Sequence, residues 1–299
     1  MMALTSEDGS STLPRRQLGR ALREMREGQG LRLDQAAVLA ELSKSGLHRI
    51  ENAQVVKVKI REIRALCEVY GVTTGDTSQM LKLAEKAQVK SWHTAFSGLF
   101  SDDTFAMYLG LEASAHQLIS YNEIVPGLLQ TEDYARAVIS SYYRDSTAED
   151  LDRRVELRLK RQAIVARKSS PVALEVLLHE SALHRVIGGK RIMAAQLRHV
   201  AEMSKLPNIS VRIHPFASGC AWGLVHGPFV ILDFGTDAKG QPVEPPLVYF
   251  EGNGKPDLYM EKAEDVQRYH DIASALRSTA LDETQSRDLL RRAARSYTA

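Results

Sequence analysis

The amino-acid sequence predicts a mainly α-helical chain with a smaller α+β part: an N-terminal bundle of five helices, then a C-terminal domain of helices and mixed sheet. Three observations support this. Apolar residues recur at helical spacing through residue 90, punctuated by Gly28, Gly30 and Gly71. After Pro171 the period drops to two, with Val172, Leu174, Val176 and Leu178 at every second position. Beyond residue 258 the helical period returns and runs almost to the end. At 299 residues the chain can form two domains that each bury a core.

Residues 1–13 are polar and rich in Ser and Thr, and are expected to be disordered. A first module covers 14–90. Leu18, Ala21, Leu22 and Met25 give a helix over 15–27, stopped by Gly28-Gln29-Gly30, with Arg16, Arg20 and Arg23 on its outer face. Leu33, Ala36, Ala37 and Ala40 mark a short second helix whose small residues admit a close neighbour. Glu41-Leu42 makes the turn out of it. Ser43 is a natural N-cap for a third helix over 44–51, because its hydroxyl can accept from an otherwise unpaired amide of the first turn. Ile60, Ile63, Leu66, Cys67 and Tyr70 give a fourth helix, ended by Gly71. After a turn at 73–76, Gln79, Met80, Leu83, Ala84 and Ala87 carry a fifth over 77–90. Residues 91–104, with Trp92, Phe96, Leu99 and Phe100, read as a connector.

The third helix is the centre of this module. Leu47 and Ile50, with Leu42 just before the cap, form its apolar face. Lys44, Ser45, His48 and Arg49 point the other way, and Gly46 among them admits close backbone approach. A short helix buried on one side, with small polar and basic groups on the other, suits the major groove of DNA. The charge distribution agrees. Between Thr12 and Tyr70 twelve Lys and Arg oppose seven Asp and Glu, a net +5 in a chain of formal charge +2, which leaves −3 elsewhere. A basic module on a slightly acidic body is what a grip on phosphates requires.

Residues 18–72 resemble the helix-turn-helix domain of the lambda-repressor type, also called XRE-like. The residues that carry the resemblance are Leu18-Gly19, Leu22-Arg23, Arg26-Glu27, Gly30-Leu31, Ala36-Ala37, Ser43, Ser45, Leu47, Arg49-Ile50-Glu51 and Tyr70-Gly71-Val72. The resemblance implies that 34–40 is the positioning helix and 44–51 the recognition helix. It makes Lys44, Ser45 and His48 base-edge candidates and Arg49 a phosphate or structural contact. Arg20, Arg32, Lys57 and Lys59 are the further candidates for the DNA backbone. The pattern is broken at three places. Arg32-Leu33 replaces a Ser or Thr followed by Gln, removing an N-cap. Gly46 inside the recognition helix costs roughly 1 kcal/mol relative to Ala. Ala53 stands where a closing glycine is usual, so Asn52 is expected to take the left-handed cap.

In the C-terminal domain, 105–299, helices are expected over 105–168, a mixed α/β part over 171–256 and two closing helices over 258–297. Thr131 caps a helix after the Pro126-Gly127 turn, with Glu132 and Asp133 near its positive end. Residues 152–168 read as one basic helix with Arg154, Arg158 and Arg161 on a shared face. That face is either solvated, with pairs such as Glu156 to Lys160, or a dock for an acidic partner. Ile209, Val211 and Ile213, then 229–232 and 247–250, supply further strands. Val125–Ala135, Arg158–Gln162, Glu180–Leu183, Gly188-Gly189, Gln196-Leu197, Val211–Phe216, Gly227–Phe229 and Val248–Glu251 resemble the C-terminal domain, of unknown function, carried by helix-turn-helix regulators of actinomycetes. With the first module the resemblance covers about residues 18–290.

No catalytic constellation emerges, and the chain is read as not an enzyme. His179-Glu180 and His184 place the second histidine five residues on, a rotation of about 140° round a helix, rather than at the fourth-residue spacing of zinc proteases, so the ligands would diverge and no metal is expected. Gly252-Asn253-Gly254 precedes no phosphate-binding helix, and Ser218-Gly219-Cys220 near His214 and His226 is a weak nucleophile pattern. No cofactor is implied. Cys67 and Cys220 read as buried free thiols in a reducing, cytoplasmic setting, and no apolar run spans a bilayer. The resulting expectation is a sequence-specific regulator that binds double-stranded DNA at a palindromic operator as a homodimer. Its second domain would serve dimerisation, sensing or partner binding. The resemblance also implies a small acidic partner protein encoded nearby, in a toxin–antitoxin-like arrangement. Two rival readings are an antitoxin-like partner-binding protein whose DNA binding is autoregulatory, and a ligand sensor or cryptic enzyme in the second domain.

Overall fold

The computed structural model describes residues 12–55, 57–88, 96, 99, 103–223, 226–252 and 258–298. The chain divides into two compact units, Met1–Ser114 and Ala115–Ala299. The division falls ten residues later than the sequence boundary at 104/105, because the helix over Asp103–Ser114 groups with the first unit. Most of the expected connector, and residues 1–11 of the expected disordered segment, lie outside the described residues.

The first unit holds α1 (Thr12–Gly28), α2 (Leu33–Leu39), α3 (Lys44–Glu51), α4 (Ile60–Val69), α5 (Thr74–Lys86) and α6 (Asp103–Ser114). The first helix starts at Thr12, inside the segment read as disordered. Leu18, Leu22, Ala36, Ala37, Leu47, Ile63, Leu66 and Ala84 form one core beneath the first five helices. The ends of α1 to α4 repeat one device. In each, two amides beyond the helix turn back onto carbonyls of its last turn, as in Leu31 N to Arg26 O at 3.1 Å and Gln54 N to Arg49 O at 2.8 Å. This motif needs a left-handed residue. Gly30 and Gly71 supply it after α1 and α4, but Glu41 and Ala53 do so on either side of α3, at φ 56° and 58°. Ala53, not Asn52, therefore takes the left-handed cap; Asn52 stays at φ −99°. An L side chain there costs about 1–2 kcal/mol.

The second unit is built on a six-stranded sheet of order β3-β2-β1-β4-β5-β6. Its strands are β1 (Gln117–Asn122), β2 (Ala173–His179), β3 (Ile209–His214), β4 (Phe229–Asp233), β5 (Leu247–Phe250) and β6 (Leu258–Met260). β1, β2 and β3 run parallel, whereas β4, β5 and β6 follow as an antiparallel meander. The crossover from β1 to β2 carries α7 (Glu132–Tyr142), α8 (Ala148–Arg161) and α9 (Ala163–Ala166). That from β2 to β3 carries α10 (Ser181–His184) and α11 (Lys190–Met203). The chain closes with α12 (Ala263–Thr279) and α13 (Glu283–Ser296), the two helices expected there. Val266, Ile272, Ala273 and Leu276 of α12 pack on Ile119, Tyr121, Leu177, Phe229, Ile231 and Val248. Leu118, Leu174, Val176 and Val211, which point the other way, are buried too, so both faces of the parallel part are covered.

β1 and β6 lie in stretches read as helix. The expected single helix over 152–168 is two pieces, α8 and α9, and starts earlier, at Ala148.

Candidate nucleic-acid interface

The cap on α3 forms as the residues imply. Ser43 Oγ accepts from Gly46 N at 3.0 Å, Leu47 and Ile50 are buried, and Lys44, Ser45, His48 and Arg49 are exposed. Four side chains able to donate to base edges or phosphates thus leave one face of an eight-residue helix. Gly46 falls in the first turn, where a Cβ would stand 2.9 Å from Ser43 Oγ. Its cost in helix propensity is therefore set against a cap that a larger residue would disturb.

The inner side of α3 is held by α1 through three contacts. Gly19 lies so close to the end of α3 that a Cβ there would sit 2.6 Å from the carbonyl oxygens of both Ile50 and Glu51. Glu51 is buried and paired with Arg26, whose Nε and Nη2 donate to its two carboxylate oxygens at 2.7 and 2.9 Å. Arg26 Nη1 also donates to Leu31 O at 2.9 Å, which ties the end of α1 to the same centre. Arg23 reaches the C-terminus of α3, donating to Glu51 O at 3.2 Å and to Asn52 Oδ1 at 2.6 Å. A cation at that end also complements the helix dipole. The Glu51 hydrogen bond raises the Arg26 pKa, so this guanidinium stays charged. Burial raises the phenol of Tyr70, whose hydroxyl has no hydrogen-bond partner among the described residues.

These contacts revise the charge reading. Arg23 and Arg26 are structural, and Arg23 does not belong to a bare outer face. Arg20 pairs with Glu24 at 3.1 Å, Arg32 with Asp34 at 3.3 Å and Lys59 with Glu62 at 2.7 Å. Among the described residues, Lys44, Arg49 and Lys57 are exposed and carry no ion pair, as do Arg61 and Arg64 on α4. The lost N-cap at Arg32 is partly replaced, since Gln35 Oε1 accepts from Arg32 N at 3.0 Å.

In the second unit the Val125–Ala135 segment is a polar hub. The turn is followed by a 3-10 helix, Gly127–Leu129, and Thr131 caps α7 as expected. Two side chains from elsewhere, Gln196 and Gln162, satisfy this backbone, and a third, Arg158, holds the Gln130 side chain. Gln196 is fully buried, donates to Leu129 O and accepts from Thr131 N, both at 2.7 Å. Gln162 donates to Gly127 O at 3.0 Å and Gln130 O at 2.7 Å. Arg158 donates to Gln130 Oε1 at 2.7 Å, and its Cδ would be 3.0 Å from a Cβ on Gly127.

Comparison with known families places both halves. A profile described as "Helix-turn-helix domain" matches residues 17–80. One described as "Domain of unknown function (DUF5753)" matches residues 105–292, more than half of the chain. The chain belongs to the DUF5753 family. No curated protein and no solved structure matches it. The first unit carries a helix-turn-helix domain, the fold with which DNA-binding regulators place a helix in the major groove.

The DUF5753 domain does not present the three α8 arginines as an open dock. Arg161 is buried, Arg158 is bound to the hub, and Arg154 lies 3.6 Å from the centroid of the Tyr143 ring. The Glu156–Lys160 pair at 2.7 Å is the solvated part of that helix. His179 and His184 do not converge on a metal: His179 Nδ1 lies 2.8 Å from Ser181 Oγ, and His184 faces Glu180 at 3.6 Å. No group of three potential ligands gathers among the described residues. Ser218 Oγ donates to Thr279 O at 2.6 Å. Cys67 is buried as expected, but Cys220 is exposed, because it lies in the loop after β3 rather than in a strand. No helix among the described residues is long and apolar enough to cross a membrane.

Proposed function

We propose that this protein is a cytoplasmic, sequence-specific DNA-binding regulator of the lambda-repressor type that reads a palindromic operator as a homodimer. The supporting observation is the division of labour on α3. Leu47 and Ile50 are buried in the shared core and Glu51 is held by Arg23 and Arg26 of α1, while Lys44, Ser45, His48 and Arg49 are presented outward. Lys44 and His48 read base edges, Ser45 adds a short donor, and Arg49 and Lys57 hold phosphates. Arg20, Arg32 and Lys59 contribute to the same electrostatic field with part of their charge already neutralised. One module covers few base pairs, so specificity comes from two half-sites about one helical turn apart. The DUF5753 domain would supply dimerisation, sensing or partner binding. Its resemblance to actinomycete regulators suggests a small acidic partner and a toxin–antitoxin-like arrangement. No catalytic role is proposed.

The test is selection of bound duplexes from a random library, with the oligomeric state measured by sedimentation on the same preparation. An enriched inverted repeat bound by two chains is the expected result. A library that returns unenriched, or a half-site bound by a single chain, would overturn the reading.

A further inference from the structure

We infer that a cavity at the N-terminal ends of β1, β2 and β3 binds a small molecule through an oxyanion, a carboxylate or a phosphate group. The cavity measures about 510 Å³ and is lined by Gln117, Glu175 and Arg212 from the sheet, Arg277 from α12, and Glu283 and Arg287 from α13. Sites for small ligands span roughly 300–1,000 Å³. Its charged groups are not equally committed. Glu175 is matched by Arg277, whose Nε and Nη2 donate to its two oxygens at 2.5 and 2.8 Å. Glu283 accepts from Ser210 Oγ at 2.7 Å. Arg287 donates to Ser204 Oγ at 3.1 Å and to Ser204 O at 3.0 Å.

Arg212 is the exception. It sits on β3 in register with Leu177, so it projects from the same face of the sheet as Glu175. It is half-buried and makes no ion pair or side-chain hydrogen bond among the described residues. A guanidinium offers five donors and no acceptor, and its planar fork matches two oxygens of one carboxylate or phosphate. Three guanidiniums against two carboxylates, with one carboxylate already fully matched, leave a cavity that favours an anion over a cation.

The test is isothermal titration of the full-length chain, without DNA, with inorganic phosphate and separately with succinate at fixed ionic strength. Saturable binding of at least one, with a Kd in the millimolar range or tighter, is expected. The responding anion identifies which oxyanion the site takes. Arg212→Gln, which breaks no internal bond, should weaken that binding at least tenfold without lowering the unfolding temperature in buffer. Arg198→Gln, on the exposed side of α11, should leave it unchanged. Failure of both anions to bind, or equal affinity in Arg212→Gln, would overturn the assignment. Either result is independent of whether the protein binds an operator.

Discussion

Replacing Arg26 with Met would leave Glu51 as a carboxylate buried at the junction of α1 and α3 without its main counter-ion. The two side chains are 10% and 3% exposed, and two hydrogen bonds join them. Removing one member of such a pair costs about 3–5 kcal/mol, chiefly because the remaining charge stays desolvated. Arg23 Nε, 3.8 Å from Glu51 Oε2 and partly exposed, gives limited compensation, which places the expected cost toward 3 kcal/mol. At about 1.4 kcal/mol per factor of ten, that is roughly a hundredfold loss of protection. The assay is amide hydrogen exchange of the full-length chain, read on peptides from α1 and α3, because a whole-chain melt would mix the two units. Changing both partners, Arg26→Met with Glu51→Leu, removes the stranded charge and should restore most of the protection. A single variant that exchanges within a factor of three of wild type, or a double variant as damaged as the sum of the singles, would refute this coupling.

Four other outcomes are expected. Ala53→Gly relieves the left-handed strain at the end of α3 and should stabilise the first unit by about 1 kcal/mol, seen as slower exchange in α3. Gly19→Ala places a methyl 2.6 Å from two carbonyl oxygens and should cost about 1–3 kcal/mol, with operator binding lost as α3 is displaced. Lys44→Ala and His48→Ala should each weaken specific binding by about 1–3 kcal/mol and relax sequence preference, whereas Lys57→Ala should weaken all DNA alike and flatten the salt slope. In acid, the second unit should lose stability. Burial lowers the pKa of His199, His214 and His226 below the ordinary 6.5, with His179 adding to the effect at His214 and Arg268 at His226. The unfolded chain takes up these protons near pH 6.5 while the folded chain does not, so stability present above that pH falls as pH drops toward the lowered values. Urea titrations at pH 7.5 and 5.5, read by pulsed hydrogen exchange on peptides of the second unit, measure this, and His214→Gln should make the dependence shallower.

The α3 helix was legible because a polar cap, two apolar residues three apart and a polar remainder are all local signals. Ser43, Leu47 and Ile50 needed no distant residue to interpret them. Its supports were not legible, because they are pairings across 25 to 29 residues. Glu51 beside Ile50 on the inner edge of α3 was the available clue, since a buried acid requires a cation. The sequence of β1 reads as helix for a different reason. Leu118, Ile119, Ser120 and Tyr121 are all buried in the middle of a covered sheet, so the strand shows no alternation. The α8 arginines mislead in the opposite direction. Helical spacing places them on one face but does not reveal the Gly127 turn that folds against Arg158. Ala53 rather than Asn52 is left-handed because the closing bonds of α3 run from Ala53 N to Ile50 O and from Gln54 N to Arg49 O, which puts the left-handed position at 53, where the sequence carries no glycine to mark it.

The most direct measurement is fluorescence anisotropy of the full-length protein on the DNA upstream of its own gene and on a scrambled duplex, over a salt series. The Lys44→Ala/His48→Ala double variant is run alongside. Reading by α3 requires tight, salt-dependent binding that favours the upstream DNA by roughly a thousandfold or more, with most of that preference lost in the double variant. Equal, weak binding to both duplexes, or a preference that survives the double substitution, would contradict it.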